Sequence, residues 1–336
     1  MIVVTLYHDE SQKEESLAEA ILTELQGEVP HQLVKVNVDG DPALQKVYKE
    51  HLPVIEVGPF ILREPYITRQ DILVALMSAR DRKSDLERIG DKDYLRRVEK
   101  SKQFSGADRF SHWFSMRYML LFNLIVFIYV GLPFLAPVLM KVGAPTPAKI
   151  IYSIYSPLCH QLAFRSWFLF GEQSVYPREL AQLDELKTYE EISGTREVNI
   201  IDAREFIGNE EIGYKVAFCE RDIAIYAGIL LFGIVFAVSG RKIRALPWYF
   251  WIVLGIIPIG LDGGSQLPGL VKEFLPSWLL IVERESTPFL RTLTGGLFGI
   301  TTAWYLYPMI EETMQDTRRV LMRKKAVFEQ VNSSKE

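Results

Sequence analysis

Four apolar runs, at roughly 117 to 140, 221 to 239, 246 to 261 and 289 to 310, constrain this chain more than any other feature. Each approaches the ~20 residues that a helix needs to cross a hydrocarbon core, once tilt and interfacial ends are allowed. Residues 1 to 110 and 171 to 217 are polar by contrast, so the 24% of charged residues, which alone would suit a soluble enzyme, lies mostly between the runs. The pattern predicts a multidomain protein: a soluble domain at 1–80, a charged connector at 81–116, an all-α helical membrane domain at 117–310 with an insertion at 171–217, and a tail at 311–336.

The chain opens on Ile2-Val3-Val4-Thr5-Leu6-Tyr7, a strand pattern and not a signal peptide, so the run starting near Arg117 is expected to be the first anchor. A net charge of -4 argues against nucleic acid as a partner, because phosphate binding needs a concentrated basic face. Basic residues gather in the connector (Arg96, Arg97, Lys100, Lys102, Arg109), in the link at Arg241, Lys242 and Arg244, and in the tail at Arg318, Arg319, Arg323 and Lys324. Since cytoplasmic loops carry the positive excess, these regions and both termini are expected on the cytoplasmic side of a prokaryotic plasma membrane, with the acidic insertion outside. A full span at 148 to 170 would put the basic link outside. The favoured reading is therefore four spans with 148 to 170 as a re-entrant or interfacial helix, and five spans is the alternative.

The N-terminal region reads as β-α-β: a strand at 2–7, a helix through Ser16 to Leu22, and a strand from Gln32 to Val38. Asp41-Pro42 fits a helix start. Leu52-Pro53-Val54-Ile55-Glu56-Val57 then turns at Gly58-Pro59 into a second short strand, and a helix from Thr68 to Ala79 closes the region. Val4-Thr5-Leu6-Tyr7, Val36-Asn37-Val38-Asp39 and Leu52-Pro53-Val54 resemble the glutaredoxin branch of the thioredoxin-like fold, over about the first 80 residues. The resemblance implies an α/β thioredoxin-like domain with a cis Pro53 and a reactive thiol at the start of the first helix. That stretch here is His8-Asp9-Glu10-Ser11-Gln12, without cysteine, so thiol exchange is excluded, no redox cofactor is expected, and a docking role toward a protein partner is.

Polar motifs stand at the ends of the apolar runs: Cys159-His160-Gln161 with Arg165, Cys219-Glu220-Arg221-Asp222, Asp262-Gly263-Gly264-Ser265-Gln266, and Arg284-Glu285-Ser286 with Arg291. An ionisable group costs roughly 2.5 to 3.5 kcal/mol at a membrane helix centre, so their recurrence points to one shared, outward-facing site. Thiolate, imidazole and carboxylate suit zinc, which makes Cys159, His160, Cys219 and Asp262 the expected ligands. Asp222 and Glu285 are the candidate catalytic groups, as alternative ligand or general base. Arg165, Arg221, Gln266, Arg284 and Arg291 are candidates to bind an anionic group such as a lipid phosphate. Two other readings stay open: a Cys159–Cys219 disulfide stapling a non-catalytic scaffold, or free thiols among ion pairs and helix caps.

This ordered set, over about 150 to 308, resembles a prokaryotic family of predicted membrane proteins classed as a domain of unknown function. The family supplies no activity to carry over. The roughly 45 residues between the first and second motifs depart from its compact pattern and imply an added outer subdomain.

Overall fold

Alternating side chains give the N-terminal sheet two buried faces, as the computed structural model of the chain shows. The structure describes residues 2–9, 17–39, 45, 48–63, 67–93, 96, 103–195, 198–266 and 284–333. The expected Asp41-Pro42 helix start, the Glu10–Gln12 part of the first loop and connector residues 97–102 lie outside that set. The chain divides into two units, residues 1–117 with 312–336, and residues 118–311.

In the first unit, β1 (Ile2–His8) runs parallel to β2 (His31–Asn37) and antiparallel to β3 (Val54–Val57), which turns into β4 (Phe60–Arg63). The sheet order is β2-β1-β3-β4. A parallel pair needs a crossover, and α1 (Leu17–Leu25) lies in it. With α2 (Arg69–Ile89), α1 covers one face, where Val4, Leu6, Leu22, Ile55, Ile72 and Leu76 are buried. Each side chain of that size stabilises the unit by roughly 1.5–3 kcal/mol. Tyr7, Val36 and Val54 point to the opposite face, against Tyr48, Leu52 and Met322. The Tyr7 hydroxyl donates to Glu56 at 2.9 Å, and Glu56 also pairs with Arg323, so the tail belongs to this unit. The Leu52–Pro53 peptide is cis. A reciprocal Thr68–Asp71 capping box starts α2, and Gly90 in the left-handed region ends it, so the helix passes the expected closure at Ala79.

The second unit departs from the expected all-helical domain. α3 (Gly106–Lys141) contributes its stretch from Tyr118 onward, and α4 (Pro145–Tyr155) follows. A three-stranded antiparallel sheet of β5 (Ser166–Leu169), β6 (Gly208–Asn209) and β7 (Gly213–Cys219), ordered β5-β7-β6, then frames short helices α5 (Tyr189–Ser193) and α6 (Ile200–Glu205). The stretch 148–170 is thus a short helix, a turn and a strand, where a single re-entrant or interfacial helix was expected. Gln161 sits at φ 52, which no helix accommodates, and its amide donates to the Tyr152 and Ala217 carbonyls at 2.9 and 3.0 Å. That gives the Tyr152 carbonyl, which already accepts the Ser156 amide, a second donor and ties the end of α4 to β7.

β7 feeds directly into α7 (Glu220–Val238), followed by α8 (Trp248–Gly264) and α9 (Pro288–Ser333). Among the described residues two helices, α3 and α7, are long and apolar enough to cross a membrane, where four spans were expected. Only 22% and 33% of their apolar windows are buried, so Leu124, Ile128, Leu231 and Val238 face outward. A soluble core helix would hide such stripes, so length, composition and exposure together mark these two helices as membrane-capable. α8 spans about 25 Å against a core of ~30 Å, and a π turn at Ile252–Ile256 interrupts it.

Gly295-x-x-x-Gly299 of α9 faces α7. A Cβ at Gly299 would stand 2.0 Å from the Ile225 carbonyl oxygen, so this motif serves packing within the chain.

Candidate functional site

Cys159 lies just past α4, its amide donating to the Tyr155 carbonyl at 3.0 Å, and it is buried against Val130, Tyr155 and Phe218. Cys219 ends β7 and forms the N-cap of α7. Because β7 passes straight into α7, Cys219 and Asp222 fall on one helical turn, and the Cys219 thiol donates to Asp222 Oδ2 at 3.0 Å. The Cys219 amide donates to Cys159 Sγ at 3.4 Å. Both cysteines are free thiols, and one donor atom from each of Cys159, Cys219 and Asp222 lies within 4.8 Å of the others. The Cys219 thiol is held above its ordinary pKa, first by its hydrogen bond with the Cys159 sulfur, then by burial and the Asp222 charge.

A cavity of 240 Å³ opens beside this cluster, lined also by His160, Arg165, Arg221 and Arg291. His160 is exposed at its wall and stands outside the three-donor cluster. Asp262, the other expected ligand, stands outside it too: it is 5% exposed and pairs with Arg221 while accepting the Ser286 hydroxyl at 2.7 Å. Asp222, expected in an alternative role, takes the place beside the thiols.

The arginines expected to receive an anion are engaged by carboxylates. Arg291, 2% exposed, donates to Glu220 at 2.7 Å, to Glu285 at 2.9 Å and to the Ser286 carbonyl at 2.7 Å. Arg165 grips Glu285 with two hydrogen bonds of 2.7 and 2.9 Å. Arg284 approaches Asp262 at 3.6 Å and also contacts Ser265. Gln266 donates to the Asp262 carbonyl at 2.8 Å. Glu285 is therefore shared between two guanidinium groups and is occupied, unlike a general base facing open space. Breaking one partner out of such a buried set costs about 3–5 kcal/mol, because it strands a charge.

Two buried ionisable residues were not singled out from the sequence. Glu220 reads as a filler between Cys219 and Arg221, yet it is 1% exposed and pairs with Arg291, and its Oε1 has no hydrogen-bond partner among the described residues. The rule that a charge at membrane depth must be paired could have found it. Lys215 is fully buried in β7, its ammonium donating to the Gln161 and Arg204 carbonyls at 2.7 Å each. Burial pushes it down to about 7. Nothing in Tyr214-Lys215-Val216 marks it as different from a surface lysine.

Residues 209–305, which carry Cys219, Asp222, Asp262, Glu285 and Arg291, match a family model described as Predicted membrane protein (DUF2085). Over 164 residues the chain is 26% identical to the uncharacterized protein MJ1492 of Methanocaldococcus jannaschii, covering 48% of this chain and 69% of that protein. No solved structure matches the chain. The family match thus covers β7, α7, α8 and the start of α9, and neither description states an activity.

Proposed function

We propose that this chain is a multi-pass membrane protein that holds a divalent metal ion, zinc by donor chemistry, between Cys159, Cys219 and Asp222 at the junction of β7 and α7. The observation that carries the reading is the convergence of three donor atoms within 4.8 Å beside a cavity. Three protein donors are the number that a catalytic zinc would take from the chain, and such an ion, if bound, would supply an activated water. His160 lines the same cavity and is a residue type able to serve as a fourth ligand. The paired state of Arg165, Arg221, Arg284 and Arg291 supports a positioning role, fastening the ends of α7, α8 and α9 around the cluster. A lipid phosphate would have to displace Glu285, Asp262 or Glu220 to reach them.

The second reading, a Cys159–Cys219 disulfide stapling a non-catalytic scaffold, is favoured by the same 3.4 Å approach of the Cys219 amide to the Cys159 sulfur. Metal and disulfide exclude each other, since ligating thiols must be free and deprotonated. Metal content and non-reducing intact mass of the detergent-purified chain therefore decide. One zinc per chain, lost in Cys219→Ser and Asp222→Asn but kept in Asp262→Asn, is expected. A metal-free chain two mass units light means the staple.

Within this proposal α3, α7, α8 and the first half of α9 are the four spans, with both termini and the link at 240–245 cytoplasmic. The sheet order β2-β1-β3-β4, with two helices on one face, supports a thioredoxin-like, cysteine-free N-terminal domain. An experimental structure with another strand order would remove that assignment.

A further inference from the structure

α4 has two unlike faces. Ala148, Tyr152 and Tyr155 are buried against α3 and β7, while Ile150 and Ile154 are 56% and 57% exposed, and Leu158, in the turn that follows, is 55% exposed. The spacing i, i+4, i+8 makes one apolar stripe. α6 adjoins it, through Arg204 donating to the Ser156 carbonyl at 2.6 Å, and adds Ile200 and Ile201, 51% and 65% exposed. Along the flank of the stripe runs an open groove of 590 Å³, lined by Lys149, Ser153, Ser156 and Arg204. A soluble surface would not gather five large aliphatic side chains in this way.

What covers this face follows from its continuity. α3, one of the two membrane-capable helices, carries its exposed apolar side through Leu135 and Val138 to Val142, and three residues later α4 begins. The exposed apolar side of α3 thus leads, past the exposed Lys141 and Thr146, into a helix whose apolar stripe is flanked by Lys149 and Arg204, with Glu205 also lining the groove. We infer that α4 and α6 form a membrane-interface face, with Ile150, Ile154, Leu158, Ile200 and Ile201 at the acyl boundary and Lys149 and Arg204 level with the lipid phosphates. This is the arrangement of an amphipathic helix lying in the interface plane, with cationic side chains reaching the headgroups. The inference rests on the membrane reading of α3 and is independent of the metal site. It has a consequence for that site, because the turn after α4 leads directly to Cys159 and His160: the cavity mouth would open at headgroup depth.

The test places a photoreactive diazirine amino acid at Ile154 of the full-length chain, in nanodiscs of phosphatidylcholine and phosphatidylglycerol. The same probe at Leu124 on α3 and at Lys187 on the insertion gives the reference levels. Ile154 is exposed, so the substitution leaves the core intact, and a probe at Ile150 repeats the measurement from one turn away. Mass spectrometry is expected to show lipid adducts at 154 and 150 near the Leu124 level and several-fold above Lys187. Adducts no higher than at Lys187 would overturn the inference, as would cross-links from 154 and 150 to a second copy of the chain.

Discussion

Asp222 and Asp262 are both carboxylates at helix ends, and their partners separate them. Asp222 faces two thiols, whereas Asp262 is occupied by Arg221, Ser286 and Arg284. Residue types and motif order were legible in the sequence; the sorting of carboxylates between metal and guanidinium was not, because it depends on β7 delivering Cys219 to the N-cap of α7. Lys215 was invisible for a related reason, since a lone lysine in a strand declares its burial only through the segments that fold over it. Its ammonium, held down to about 7 by burial, carries a pH dependence whose sign is fixed. Between about 7 and the unfolded value near 10.5 the unfolded chain binds the extra proton, so stability rises with pH across that interval, by at most roughly 5 kcal/mol, and is flat with respect to this group below it. Cys219, held protonated in the fold, acts in the opposite sense as unfolded thiols ionise near ~8.5, so the comparison must be with a variant. Thermal unfolding from pH 7 to 8.5 should show wild type gaining on Lys215→Met. Parallel pH curves for the two would mean that Lys215 stays charged throughout.

At the scale of elements, the apolar runs at 221–239 and 289–310 correspond to helical stretches, and α9 begins at Thr287-Pro288, with the Thr287 hydroxyl accepting the Leu290 amide at 3.2 Å. Stretch 148–170 was harder to read, because its apolar residues fit a helix while Pro157 and the left-handed Gln161 forbid a continuous one. Helix packing gives a sharper test. With a Cβ at Gly299 only 2.0 Å from the Ile225 carbonyl, and one at Gly295 only 2.6 Å from the Arg221 carbonyl, α7 and α9 cannot remain at their spacing once either glycine is enlarged. Gly299→Val is expected to cost about 1–3 kcal/mol, in line with overpacking elsewhere, and to loosen the end of α7 that bears Cys219 and Asp222. Gly296, whose Cβ would meet nothing within 4 Å, is the control. An equal melting temperature for Gly299→Val and Gly296→Ala would contradict this packing.

For the whole molecule, alternating patterns located the N-terminal sheet and hydropathy located the helices, but neither revealed that Met322 and Arg323 complete the sheet unit, since that contact joins the two ends of the chain. The acidic insertion was recognised as an added subdomain without its β5-β7-β6 sheet, whose first strand lies some 40 residues before the short β6–β7 hairpin and shares no local signal with it. The proposed topology is checked with single cysteines at Ser239 and Ser193, in a chain lacking Cys159 and Cys219, and an impermeant thiol reagent. Intact cells should label position 193 and protect position 239; the reverse would invert the map. The central claim, that Cys159, Cys219 and Asp222 hold a metal, is tested most directly by zinc X-ray absorption on the purified chain. Two sulfurs at about 2.3 Å, with nitrogen or oxygen neighbours near 2.0 Å, is the predicted coordination, whereas a shell without sulfur would contradict it.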